Sequence, residues 1–116
     1  MVRLRSTRDF RELYTSGRKK PGRLFVLFMT LRQDQLVRLG VTASRRVGNA
    51  VKRNRAKRLM REAVRMILPE IHQGMDLVLV ARPGIPASGI LSVHAQLRSQ
   101  LETMNLLIRP GNGEGE

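Results

Sequence analysis

Residues 45–61 read Arg-Arg-Val-Gly-Asn-Ala-Val-Lys-Arg-Asn-Arg-Ala-Lys-Arg-Leu-Met-Arg, a basic stretch that opens a helix. Asn49 is a favoured N-cap, and the apolar residues that follow recur at three- and four-residue spacing, which predicts an amphipathic helix that Pro69 ends. Its core stripe comprises Ala56, Leu59, Met60, Ala63, Val64 and Ile67. Eight of the 17 residues are Lys or Arg and none is acidic, so the face opposite the stripe is strongly cationic.

Three short segments outside this helix have the composition of β-strands. Residues 24–31 form a continuous apolar run, whereas residues 37–44 alternate between apolar and small or polar side chains. A short polar turn separates the two, so we expect them to pair as an antiparallel hairpin, with an open floor beside Phe28. Residues 75–81 are apolar nearly throughout, which predicts a central strand.

Two further helices complete the predicted architecture. Ser6 and Asp9 are typical of a capping box at the start of a helix over residues 7–16, and Gly17 is a typical stop. We expect Ser88 or Ser92 to cap the last helix. The apolar face of that helix comprises Val93, Leu97, Leu101, Met104 and Ile108.

The chain has 116 residues, which is enough for one domain with a modest core. The order of its elements is α-β-β-α-β-α, which predicts an α+β sandwich of helices on a small sheet. We assign residues 1–109 to this single domain. Residues 110–116 have the composition of a disordered C-terminal tail.

The charge of the chain is strongly asymmetric. It carries 22 Lys and Arg against 9 Asp and Glu, a formal net charge of +13, and residues 1–65 hold 19 of the basic side chains. This predicts a polyanionic partner, and nucleic acid fits better than a membrane because the basic segment lacks bulky apolar anchors. The absence of Cys excludes disulfides and thiolate metal sites, and with no apolar leader segment we expect a cytoplasmic protein.

The cationic helix and the aromatic residues together favour RNA. Arg53, Lys57 and Arg61 follow at four-residue spacing and repel one another, which folding tolerates and bound phosphates would relieve. Phe10 and Tyr14 lie one helical turn apart, and with Phe28 they predict a groove in which single-stranded RNA stacks. Three alternatives stay open: a solvated charged face, an ordinary aromatic core, and a basic helix that enters a DNA major groove.

The sequence offers no site for phosphodiester chemistry. His72 and His94 fall in different elements, and neither has a predicted partner. No metal-binding spacing such as H-E-x-x-H occurs, so we predict neither catalytic residues nor a metal site in the protein itself. A stand-alone metal-dependent nuclease is therefore disfavoured, whereas a structural RNA-binding protein of the ribosome remains an alternative because its size and composition would be similar.

The central stretch resembles the bacterial ribonuclease P protein component. The similarity is most specific over residues 38–62, where Arg53-Asn54-Arg55 stands at the position of the family's RNR motif. Arg3-Leu4, Asp9-Phe10 and the strand with Phe28 also resemble the family, and the resemblance extends from about residue 3 to residue 108.

The resemblance implies a fold, an activity and partners. The fold is an α-β-β-β-α-β-α sandwich on a central mixed sheet with a left-handed crossover, and its additional strand falls near residues 18–23. The family's enzyme removes the 5′ leader of precursor tRNA, its catalytic subunit is an RNA, and the protein is a small cofactor. We expect a monomeric protein, one copy per RNA, with Mg²⁺ held mainly by the RNA, no organic cofactor and no membrane partner.

The resemblance also assigns residues to the two RNAs. The catalytic RNA would be contacted by Asn49, Lys52, Arg53, Asn54, Arg55, Lys57, Arg58 and Arg61. The leader of precursor tRNA would be held by Phe10, Tyr14, Phe28, Arg45 and Arg46.

Overall fold

The computed structural model describes residues 1–108, which form an α+β sandwich of three α-helices on a five-stranded mixed sheet. The strands are β1 (Val2–Arg3), β2 (Arg18–Lys20), β3 (Phe25–Leu31), β4 (Val37–Thr42) and β5 (Met75–Ala81). The helices are α1 (Thr7–Ser16), α2 (Ala50–Ile67) and α3 (Ile90–Thr103). The predicted fold class is confirmed, and the tail predicted for residues 110–116 lies outside the described residues. Within the described range, none of the helices combines the length and apolar character that crossing a membrane requires.

The order of the strands corrects the predicted hairpin. The sheet runs β1-β4-β5-β3-β2, so β5 lies between β3 and β4 and separates them. β5 pairs antiparallel with β3 and parallel with β4. Every residue of β5 except Val80 is buried, and a strand covered on both faces gains most from ladder partners on both sides. The prediction of a central third strand is therefore confirmed, and the hairpin is wrong for the same reason.

The helix starts follow local sequence for two of the three helices. The side chain of Asn49 accepts a hydrogen bond from the backbone N–H of Lys52 at 3.0 Å, and all six residues of the predicted stripe on α2 are buried. On α1, Ser6 caps through the N–H of Asp9 at 3.4 Å. α3 instead starts after Gly89 with no side-chain cap, so the predicted serine cap is wrong.

The end of α3 also differs from the prediction. The helix stops at Thr103, and Asn105 takes a positive φ of 66°, a conformation that Asn tolerates better than most residues. The chain then turns back so that Leu107 pairs with Ile71, which leaves Ile108 53% exposed rather than on the helix face.

The two faces of the sheet are covered unequally. The back face packs against α2 and α3 and forms the main core. In residues 1–108 the front face packs against α1 and Leu4, and the small cluster there consists of Leu4, Leu13 and Val78, with Phe10, Phe28 and Val80 partly buried around it. This partial cover leaves a cleft on the front face. The crossover β4–α2–β5 joins parallel neighbours, and its left hand stays a prediction.

Candidate nucleic-acid interface

Three aromatic rings meet on the front face of the sheet, and we call them the ring row. The strand register sets Phe28 on β3, Val78 on β5 and Gly40 on β4 side by side. The ring of Phe10 lies on Gly40 so closely that a Cβ at this position would overlap it. The centroids of Phe10 and Tyr14 are 6.4 Å apart, and those of Tyr14 and Phe28 are 5.1 Å apart with the rings edge to face. The structure therefore brings together the three rings that the sequence selected.

The rings are packed on one side and open on the other. Phe10 and Phe28 are half-buried against the small front-face cluster. Part of each ring therefore serves as an ordinary core residue. Tyr14 is 44% exposed. Half-buried rings with accessible faces and edges are fixed in position, so they could stack on unpaired bases with little loss of side-chain entropy.

Unpaired cations line the β4 end of the ring row. A cavity of about 340 Å³ is bordered by Phe10 and Gly40 and by the guanidinium-bearing residues Arg3, Arg5 and Arg61. Burial, together with the positive charges of Arg3 and Arg65, lowers the pKa of Arg61, and no carboxylate within residues 1–108 pairs with it. Arg61 thus sits beside Phe10, whereas the sequence grouped it with the helix face.

The sequence missed cations that lie next to the rings. Lys19 on β2 places its Nζ 5.9 Å from the centroid of Phe28. Arg3 reaches the cleft because β1 pairs with β4. The register joins position 2 to position 38, and a pairing over 36 residues cannot be recognised from a local sequence pattern. Arg45 and Arg46, by contrast, were predicted for the leader site but lie on an exposed turn just beyond β4, outside the lining of the cavity.

The cationic residues of α2 divide into exposed and engaged groups. Lys52, Asn54 and Arg58 are exposed, Lys57 is half-buried, and within residues 1–108 neither the two lysines nor Arg58 pairs with a carboxylate. We call these four residues the RNR face. An array of unpaired cations on one helix is suited to a phosphate backbone.

Three other residues predicted for the catalytic RNA already have contacts or constraints within the chain. Arg55 donates from Nε to the carbonyl of Pro86 at 2.7 Å and from Nη2 to that of Ser88 at 3.2 Å. Arg53 is half-buried, and its Nε is buried without a hydrogen-bond partner. Asn49 uses its side-chain oxygen as the helix cap. Arg55 therefore fastens α2 to the turn that precedes α3.

Carboxylates neutralise the cations along one side of the ring row. Asp76 on β5 accepts two hydrogen bonds from Arg38, at 2.8 and 2.7 Å, and one from Arg32 at 3.2 Å. Burial opposes ionisation of Asp76, but the hydrogen bonds and charges of these two arginines outweigh it and lower its pKa. Arg38 also reaches Asp9 at 3.3 Å, which fastens α1 to the sheet. On this side of the front face, the two arginines Arg32 and Arg38 are therefore already paired with carboxylates.

The described residues do not assemble a metal site. No group of three or more His, Asp or Glu side chains in residues 1–108 is placed to hold a metal ion. His72 lies in the connection after α2, and His94 lies on α3, so the two histidines do not form one site with the ring row.

Comparison with known proteins gives one consistent family. Residues 1–105 match the family described as Ribonuclease P. The ribonuclease P protein component of Brevibacillus brevis is 38% identical over 96 residues, which cover 82% of this chain and 76% of the relative. That of Symbiobacterium thermophilum is 36% identical over 110 residues, 94% of this chain and 96% of the relative.

Solved structures agree with the sequence comparison. The RNase P protein of Staphylococcus aureus has a TM-score of 0.79 at 27% identity, over 91% of this chain and 97% of that one. The RNase P protein of Thermotoga maritima has a TM-score of 0.78 at 28% identity, over 89% and 97% of the two chains. The family match, the relatives and the shared fold cover nearly all of the described residues, and this chain belongs to the bacterial ribonuclease P protein family.

Proposed function

We propose that this ribonuclease P subunit binds two RNAs at once. The RNR face of α2 contacts the catalytic RNA, and the ring row holds the 5′ leader of precursor tRNA. The observation that carries the proposal is a difference between two groups of cations in residues 1–108: those of the RNR face have no aromatic ring among them, whereas Arg61 and Lys19 lie next to the ring row. The protein thereby promotes endonucleolytic removal of the leader, which leaves the mature tRNA 5′ end.

The RNR face acts through electrostatics. Two RNAs that approach each other carry dense negative charge, and cations between them lower this repulsion and release bound counterions. Lys52, Lys57 and Arg58 supply such charge from a helix whose other face is buried, so the backbone that carries them is fixed before RNA binds. Asn54 lies among them and offers amide hydrogen bonds to phosphate or sugar oxygens.

The ring row acts through stacking and positioning. Phe10, Tyr14 and Phe28 offer aromatic surfaces to unpaired bases, and Arg61 and Lys19 lie at the two ends of the row where backbone phosphates would pass. A mature tRNA lacks the leader, so this site distinguishes substrate from product. Holding the leader also limits its motion near the cleaved bond, which lowers the entropic part of the barrier.

Bond cleavage is assigned to the RNA. The described side chains do not fit a magnesium site, so in this proposal Mg²⁺ is held mainly by phosphates of the catalytic RNA, where it would supply the Lewis-acid chemistry. The protein acts as a monomer, one copy per RNA, in the cytoplasm. A structural protein of the ribosome would need a surface for only one RNA, and the ring row favours the two-RNA function.

Reconstitution tests the proposed function. The full-length protein is added to a bacterial ribonuclease P RNA at a magnesium concentration where the RNA alone is slow, and leader removal is measured. We expect the protein to restore cleavage and to increase affinity for precursor tRNA over mature tRNA. Equal affinity for both RNAs, or cleavage by rigorously RNA-free protein, would contradict the proposal.

A further inference from the structure

A second group of unpaired cations lies at the free edge of the sheet, beside β2. Four of the six residues from 18 to 23 are basic, namely Arg18, Lys19, Lys20 and Arg23. In the described part of the chain none of the four forms an ion pair with a carboxylate. Among the described strands β2 pairs only with β3, so it forms an edge of the sheet. Lys19 lies on the same face as its register partner Phe28, whereas Arg18 and Lys20 lie on the opposite face. We call residues 18–23 the basic edge.

Two glutamines of α3 hold the basic edge and the adjoining start of β3 in place from behind. Gln96 accepts a hydrogen bond from the N–H of Leu24 at 2.7 Å and donates one to the carbonyl of Phe25 at 3.0 Å. Gln100 donates to the carbonyl of Lys20 at 3.0 Å. A Cβ at Gly22 would overlap the amide of Gln96, so this glycine permits the close approach.

Burying the polar side chain of Gln100 costs folding free energy, which packing alone does not explain. Gln100 is only 4% exposed, and its Oε1 has no hydrogen-bond partner within residues 1–108. Its amide cannot be reversed, because the oxygen would then face the carbonyl of Lys20. An apolar residue would avoid an unsatisfied buried acceptor, so the benefit of Gln100 lies in fixing the backbone that carries the cations.

The basic edge continues the line of the ring row. The row starts with Phe10 over Gly40 on β4 and reaches Phe28 on β3, and Lys19 is the register partner of Phe28 on β2. Neighbouring strands lie about 4.8 Å apart, so the line from β4 to β2 crosses three spacings, or about 14 Å. Arginines without a carboxylate partner in residues 1–108 lie at its β4 end, and Lys19 of the basic edge lies at its β2 end.

The carboxylates flank this line rather than block it. Asp76 and its partner Arg38 occupy the next row of the same sheet face, on the side covered by the start of α1. A polyanion that ran along the strands from the ring row toward this next row would meet the carboxylate of Asp76. A polyanion that crossed the strands along the ring row would instead meet unpaired cations at the β4 end and at the β2 end.

We propose that the basic edge binds the phosphate backbone of the precursor leader where the leader leaves the ring row, so that the single strand crosses the sheet from β4 to β2. This inference rests on the proposed function, because it assumes that the rings hold the leader. It adds a site for leader nucleotides beyond the rings and assigns Gln96 and Gln100 as positioning residues for that site.

The test compares leaders lengthened one nucleotide at a time. Holoenzyme is assembled from the catalytic RNA and the Lys19→Gln/Arg23→Gln protein, and the affinity for each precursor is measured over a range of salt. The matched control is Arg8→Gln/Arg11→Gln, which removes two cations from α1 outside the ring row and the basic edge. Each lost contact to a single strand lowers the slope of log affinity against log salt by about 0.7, so a decrease of up to about 1.4 is expected for long leaders.

The outcomes separate the inference from the proposed function. A decrease confined to leaders that extend beyond the rings, absent in the control, supports the inference. An unchanged slope, or an equal decrease for mature tRNA, overturns it. If no leader of any length increases the affinity of the unaltered holoenzyme, the proposed function itself fails.

Discussion

Replacing Gly40 by alanine tests the ring row without removing a ring. Gly40 has no positive φ, so an added methyl group introduces no backbone strain, and removing Gly from a strand interior is by itself favourable by about 0.5–1 kcal/mol. The penalty comes from Phe10, whose Cζ and Cε1 occupy the space that the new Cβ needs. Because Phe10 is only half-buried on a short helix, we expect its ring to move outward rather than the sheet to distort.

The expected magnitudes differ for folding and for binding. The unfolding free energy should change by no more than about 1 kcal/mol, since the loss of ring packing is offset by the better strand residue. Stacking of one base on an aromatic ring contributes about 1–3 kcal/mol, so displacement of Phe10 should weaken leader-bearing precursor by about 5- to 150-fold. Mature tRNA should bind as before.

A double-mutant cycle decides whether the effect passes through the ring. Equilibrium binding of precursor and mature tRNA to reconstituted holoenzyme is measured for Gly40→Ala, Phe10→Ala and the double variant. If Gly40 acts through Phe10, the double variant binds precursor no more weakly than Phe10→Ala alone. Additive losses, or equal losses for mature tRNA, would refute this reasoning.

Three further predictions concern contacts around the site. Arg55→Gln should lower protein stability and leave the salt dependence of catalytic-RNA binding unchanged, because Arg55 is bound to backbone carbonyls, whereas Arg58→Gln should lower the salt slope by about 1. Hydrogen bonds from Arg32 lower the pKa of Asp34 from 3.8 to about 2 in the folded protein. The ionised Asp34 therefore stabilises the fold fully above pH 3.8, and this stabilisation is lost as the pH falls toward 2. Urea unfolding across that range should therefore show a weaker pH dependence for Asp34→Asn, and an unchanged dependence would count against the pairing. Gln96→Leu should lower the unfolding free energy by about 1–3 kcal/mol, because it removes the partners of two backbone groups at the start of β3, and no loss would contradict the role of Gln96 as a positioning residue.

Local sequence signals predicted the first two helices and the central strand well. The structure confirms the cap at Asn49, the six-residue stripe on α2, and the bounds predicted for α1 (7–16) and β5 (75–81). Each of these features depends on residues only a few positions apart in the sequence. The predicted hairpin is wrong because alternation and a short turn indicate that two segments are strands but do not show which strands are neighbours in the sheet. The apolar strand β5, from later in the chain, lies between β3 and β4.

For the candidate site, the sequence selected the three rings but only some of the cations that the structure places beside them. Phe10, Tyr14 and Phe28 were selected by residue type and spacing, and the structure brings them together. Lys19 and Arg3 were missed because they reach the rings through strand pairing, which local sequence patterns do not predict.

Site-specific crosslinking tests the central claim most directly. A photo-crosslinking residue is placed either at position 14, where Tyr14 is 44% exposed in the ring row, or at position 58 on the exposed side of α2. Each protein is assembled with catalytic RNA and precursor tRNA in the same reaction and irradiated. The account predicts that position 14 crosslinks to the leader and position 58 to the catalytic RNA. Crosslinks from both positions to the same RNA would contradict it.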